Sequence, residues 1–317
     1  VPNIKPGIGN LNLTHDGKTL LVSGIDGKIR FVDLGTGEVK RTFSAHSNSV
    51  YIATLNSDGK LLASSSRDRT AKIWDFDSGR ELKKFDGFRC AVKAVSFSPD
   101  GRLLAASGND GMLKLWDVKT GTELKSLVHR DSLDMDMAIY AFVFSRDGKQ
   151  IYGGNGDGTI SIWDIATGKE LRNWKASENT VFKLIVSPDY RRLISLGNAS
   201  VKVWDTTTWR EIQALSLPEN VGISTVPSTL AVSHDGQLIA ASYIQLDPKQ
   251  NTYVAINTIA WDAKSGEKRF TFSGQKFDVN GLIFTRDDRV LLTGSVDTTI
   301  KFWDMRNGQL TRTLTMH

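Results

Sequence analysis

A single cysteine, Cys90, stands in 317 residues, which rules out an internal disulfide and leaves the compartment open. No apolar run approaches the ~20 residues that a helix needs to cross a bilayer, and no signal-peptide pattern opens the chain. The first residue is Val1 and not methionine, as in a processed chain or one cut from a longer protein. Neither sign of charge dominates: 40 Lys and Arg are interspersed with 35 Asp and Glu, for a net charge of +5. That slight, scattered excess argues against a nucleic-acid partner. The signatures of catalysis are missing too. There is no HExxH helix, no CxxC pair, no P-loop and no GxSxG elbow. These absences give the expectation of a cytoplasmic, non-enzymatic protein with no cofactor and no membrane contact. Hydrophobic residues make up 40% and charged residues 24%, an ordinary globular composition in a chain long enough to bury its own core.

What the sequence does have is a repeat. A Trp-Asp pair recurs at Trp74-Asp75, Trp116-Asp117, Trp163-Asp164, Trp204-Asp205, Trp261-Asp262 and Trp303-Asp304, preceded by a degenerate Val32-Asp33. Successive aspartates are 42, 42, 47, 41, 57 and 42 residues apart, and the pairs use six of the chain's eight tryptophans. A turn precedes each pair, as in Asp58-Gly59 and Asp100-Gly101, and another follows it, as in Ser78-Gly79 and Thr120-Gly121. Asp-Gly between apolar runs reads as a hairpin, because aspartate bonds its own turn and glycine accepts positive φ. Between turns lie short period-two segments such as Leu113-Lys114-Leu115-Trp116, and no helical period is sustained. Each unit therefore predicts four antiparallel strands, a to d from the inside outward. One such sheet cannot cover both its faces alone, and radial repetition covers them. The predicted fold is all-β, a single seven-bladed β-propeller over 1–317, with blades near 1–43, 44–85, 86–128, 129–175, 176–216, 217–273 and 274–317.

The repeat resembles the WD-repeat (WD40) family over essentially the whole chain, and its SPDG and TGKEL stretches resemble bacterial members. The resemblance implies a structural tetrad in each blade: a His before strand a, a Ser or Thr in strand b, an Asp in the b–c turn, and the Trp of strand c. Blade two carries all four, as His46, Ser64, Asp68 and Trp74. Elsewhere it is incomplete, with Phe88 and Gln275 at the His position of blades three and seven and Asn198 for the Asp of blade five. Many relatives lock the ring with an N-terminal strand. Here every blade reads a-b-c-d in order, strand d of blade seven is expected at Gln309 to Met316, and His317 falls where a further repeat's His would stand. It either docks on blade one or marks a segment of a longer array.

In the family the d–a and b–c loops form the top face, around the central channel. The substantial irregularities all fall there: a d–a connection at His129 to Met137, another at Leu217 to Thr225, and a b–c excursion at Ile244 to Asn257. The family's top-face contact positions, carried onto this sequence, are Tyr51, Arg67, Lys93, Asn109, Tyr140, Phe182, Asp278 and Asn280. Met135 and Met137 add adaptable apolar side chains. Tyrosine, phenylalanine and arginine on a rim are the usual makers of binding hot spots.

Other features carry less chemistry. Gly154 to Gly158 superficially resembles a phosphate loop but leads into a strand, so it reads as a b–c turn. Asp131, Asp134 and Asp136 lack the glycine and terminal glutamate of a calcium loop. His15, His46, His129, His234 and His317 are scattered, and no general base accompanies Cys90 and its neighbour Arg89. The expectation is a protein-interaction scaffold that binds a peptide or protein domain on its top face, as part of a larger multidomain chain. Such propellers resemble docking modules of bacterial signalling chains. A lactonase- or peptidase-like hydrolase at the channel mouth and a structural spacer are the alternatives.

Overall fold

The Trp-Asp pair does two separate jobs in the folded chain. The computed structural model describes residues 7–128, 138–198, 200–218, 224–247 and 252–316. Within them lie seven antiparallel sheets, each of four consecutive strands. Blade two is typical, with strands a to d at Val50–Leu55, Leu61–Ser66, Ala71–Asp75 and Glu81–Phe85. Each strand a touches strand a of both neighbouring blades, and Ile8–Leu13 of blade one meets Val279–Phe284 of blade seven, so the ring closes on itself. Strand b is buried almost throughout because a blade packs on each of its faces, and the outermost strand d leaves alternate residues in solvent. Each tryptophan of strand c packs onto the preceding blade. Trp74 joins Leu21, Ile29 and Phe31 of blade one, and Trp116 joins Ala63, Ile73 and Phe85 of blade two. Truncating one such indole costs about 3–5 kcal/mol.

The aspartate of each pair builds the c–d turn. Asp75 accepts from the Ser78 N–H at 2.8 Å, and Asp117, Asp164, Asp205 and Asp262 accept likewise from Thr120, Thr167, Thr208 and Ser265. The hydroxyl and N–H donors of these turns hold the five carboxyls below their ordinary 3.8, and the Arg306 guanidinium holds Asp304 at about 2. An unfolded chain therefore takes up these protons first. The stabilisation is whole above 3.8 and drains away as the pH falls through the folded values. The thermal midpoint is expected to drop steeply between about pH 4 and about pH 2. A midpoint unchanged over that window would contradict the turn function of the aspartates.

Ring closure needs no strand exchange, since blades one and seven each form from their own four strands. Ile8, Leu11, Leu20 and Val32 pack on Leu292, Ile300, Phe302 and Met316 across the seam. The Arg312 guanidinium donates to the Gly35 carbonyl at 2.7 Å and to that of Thr36. Arg41 and Lys83 grip the c–d turns of blades two and three in the same way, so the seam repeats the ordinary contact between blades. Strand d of blade seven is Leu310–Thr315. His317 lies outside the described residues, as do 129–137, 219–223 and 248–251.

Blade six departs from the expected loop. Ile244 to Asn257 is largely a strand hairpin, because strands b and c extend over Leu238–Asp247 and Thr252–Asp262 and pair Ile244 with Ile256. Its apolar residues explain the extension: Ile244 and Ile256 pack on Val279 of blade seven. The other departure lies in two a–b turns, where Tyr190 (φ 59°) and Asp288 (φ 55°) occupy the left-handed position held elsewhere by glycine. Asp288 gains compensation, since its carboxylate accepts from the backbone N–H groups of His234 and Asp235 at 2.8 and 2.9 Å.

Candidate functional site at the channel mouth

Strand a begins on the top face, and near its start it carries a β-bulge in six of the seven blades. In blade two Val50 pairs with Ser66 and Ile52 with Ser65, leaving Tyr51 with no opposite residue. Lys93, Tyr140 and Asn280 hold the same unpaired place in blades three, four and seven. Gly9 and Ser228 hold it in blades one and six. Blade five has regular pairing, and Phe182 precedes its strand a, Lys183–Val186. A bulge re-aims the extra side chain, and here the bulged residues and Phe182 are aimed at one place. Together with Arg67, Lys183 and Ile25 they line a cavity of about 410 Å³.

The b–c turns complete the rim. The Arg67 N–H donates to the Ser49 carbonyl at 3.0 Å, which fixes Arg67 beside the Tyr51 bulge. The Asn109 N–H donates to Ala91 in the same way, but the Asn109 side chain does not reach the cavity. Asp278 also stands outside it. Met135 and Met137 lie outside the described residues. Of the residues expected at the top face, the cavity thus gathers Tyr51, Arg67, Lys93, Tyr140, Phe182 and Asn280.

Two aromatic contacts order its wall. The Lys93 ammonium sits 4.3 Å from the centre of the Tyr51 ring, a cation–π distance, and Tyr140 and Phe182 lie 6.0 Å apart at 60°. Lys183 was not among the expected residues. It stands one position beyond Phe182, where the other blades carry Asn10, Ile52, Ala94, Ala141, Thr229 and Gly281. That lone lysine among mostly small or apolar residues was the available signal. Burial, and secondarily the charge of Lys93, push the Lys183 ammonium below its ordinary 10.5. No aspartate or glutamate lines the cavity among the described residues.

The tetrad of blade two stands apart from this cavity. The Trp74 indole N–H donates to Ser64 Oγ at 2.8 Å, Ser64 Oγ lies 2.7 Å from His46 Nε2, and His46 Nδ1 lies 2.9 Å from Asp68. These partners assign the ring proton to Nδ1. Burial keeps His46 neutral by lowering its pKa against the pull of Asp68. Blade seven achieves comparable wiring with an amide. Gln275 donates to Thr293 Oγ1 at 2.8 Å and accepts from Thr299 at 3.0 Å, while the Trp303 indole donates to the same Thr293 oxygen. The glycine-rich stretch of blade four is its b–c hairpin, where Asp157 accepts from the Thr159 N–H at 3.0 Å.

A larger groove of about 630 Å³ lies on the opposite face, between blades five and six. Its polar groups are engaged: Asp189 by Ser187, Asp235 by Ser233, and His234 by Asp288. Among the described residues no group of three or more His, Cys, Asp or Glu side chains is placed to hold a metal. No helix there is long and apolar enough to cross a membrane.

Comparison with known families agrees with this architecture. The family model for the IFT122 first beta-propeller matches residues 8–245, and that for the WD domain, G-beta repeat, matches residues 266–304. No curated protein matches the chain.

Proposed function

We propose that this chain, which belongs to the IFT122 first beta-propeller family of WD-repeat propellers, is a non-catalytic scaffold that holds a peptide or protein domain over its channel mouth. WD-repeat propellers generally serve as protein-interaction scaffolds. The observation that carries the reading here is the bulge, which turns one side chain of nearly every blade toward a common cavity. A bulge re-aims the extra side chain, and what distinguishes the bulges of strand a is that their residues line one cavity. Tyr51, Tyr140 and Phe182 are half-buried, each with a face left for contact, and Arg67 is exposed beside them. We place the protein in the cytoplasm, as one module of a longer chain. A hydrolase would need convergent carboxylates, histidines or a metal at the channel mouth, and the cavity wall is aromatic, amide and cationic.

Affinity capture tests the reading. A variant with alanine at Tyr51, Arg67, Tyr140 and Phe182 is expected to lose the captured partner by at least about 100-fold in affinity, with an unchanged thermal midpoint. Undiminished capture by a folded variant would sink the top-face assignment and leave the spacer reading standing.

A further inference from the structure

Several largely buried cations of this protein are paired. Lys72, Lys114 and Lys202, each on a strand c, reach Glu81, Glu123 and Glu211 at 2.9, 3.1 and 3.0 Å, and Arg30 reaches Asp26 at 2.6 Å. Lys93, Lys183 and Arg67 are different. They converge on one cavity, and none has a carboxylate within ion-pair distance among the described residues. Like charges gathered in a partly desolvated site repel each other, and the fold gains nothing from the arrangement. The blades themselves show that no cation is needed, since the place of Lys183 is filled by Ala94 and Ala141 in the two blades before it.

We propose that the channel mouth is an anion pocket, in which Lys93, Lys183 and Arg67 receive one carboxylate or phosphoryl group projected by the docked protein segment. This rests on the scaffold reading and specifies its ligand. The chemistry fits on three counts. The anion supplies the counter-charge that no described residue gives the three cations. Asn280 lines the same cavity, and its amide donates one N–H to the Ile8 carbonyl and keeps a second for a remaining oxygen of the anion. The Tyr51, Tyr140 and Phe182 rings flank the site, so an aromatic or aliphatic neighbour of the acidic residue is covered as it enters. Burial of the Lys183 ammonium, which already pushes its pKa down, is relieved when an anion enters, so binding draws on a cost built into the empty site.

The test uses immobilised, end-capped peptides that share one aromatic-rich sequence and differ at a central residue: glutamate, phosphoserine or glutamine. The wild-type chain is expected to retain the glutamate or phosphoserine peptide at least about 10-fold better than the glutamine peptide, with the advantage shrinking as salt rises. Whichever of the two acids is preferred identifies the source of the anion. Lys183→Met is expected to abolish the advantage while leaving the thermal midpoint equal or higher, because it removes a half-buried cation that Lys93 repels. That opposite movement of binding and stability separates an anion pocket from a packing role. Equal retention of all three peptides overturns the pocket and leaves top-face docking intact. Retention of none overturns both.

Discussion

Gly153→Ser is expected to lower the stability of the protein by about 3 kcal/mol, although serine is the residue that the WD-repeat pattern favours at that place in strand b. The reason is the orientation of one indole. In blade two the nitrogen edge of Trp74 faces Ser64. In blade four a Cβ on Gly153 would lie 2.5 Å from Cζ3 and 2.9 Å from Cη2 of Trp163, so the six-membered ring edge occupies that space instead. Trp163 is 1% exposed and packed among Leu113, Leu115, Leu127 and Phe142, which leaves it nowhere to retreat. The buried polar wiring of the blade has moved to Asn155, whose amide donates to Thr159 and Ser161 at 3.0 and 2.9 Å. Because the clash is with Cβ, Gly153→Ala is expected to cost as much as Gly153→Ser. Urea unfolding of both variants checks this. A serine variant as stable as wild type, beside a destabilised alanine variant, would mean that the indole turns over and restores the usual bond.

That glycine also marks where sequence reading stops. The repeat was legible because each Trp-Asp pair fixes an interface and a turn at once, so a 42-residue spacing already implies a ring. What the pattern could not convey is substitution by function. Gln275 reads as a lost histidine, yet an amide offers a donor and an acceptor as an imidazole does, and it joins the same kinds of partner. Blade six reads as a loop by its length, while Tyr243 to Leu246 are largely buried and belong to a sheet edge that continues outward. At the channel mouth, family positions led to Tyr51, Lys93, Tyr140 and Phe182. Gly9 and Ser228 are silent in the sequence, since nothing about a glycine or a serine announces a bulge. Lys183 falls one residue past the family's contact position, where the other blades place residues without charge.

The second large effect lies in blade two. Ser64→Ala leaves the Trp74 N–H and the His46 Nε2 lone pair both buried and unbonded, for an expected loss of about 3 kcal/mol. Adding His46→Phe to that variant should cost less than the two single changes summed. The double variant reproduces blade three, where Ala106 and Phe88 fill these places and Phe88 packs 5.9 Å from Trp116. The turn carboxylate survives there without a histidine, since Asp110 accepts from the Arg89 N–H at 2.9 Å. Asp68 has the matching donor in the Ser47 N–H at 3.2 Å and keeps the Thr70 hydroxyl at 2.6 Å. A double-mutant cycle by urea denaturation should therefore show a coupling of about 1–2 kcal/mol. Strict additivity would mean that the bonds act singly and that His46 is not a link between Ser64 and Asp68. The pH dependence gives an independent reading. Burial lowers the folded pKa of His46, so as pH falls below 6.5 the unfolded chain is protonated at this residue first and stability declines. Variants carrying His46→Phe should lose that share of the decline near neutral pH and keep the steeper one below about pH 4, which belongs to the turn aspartates.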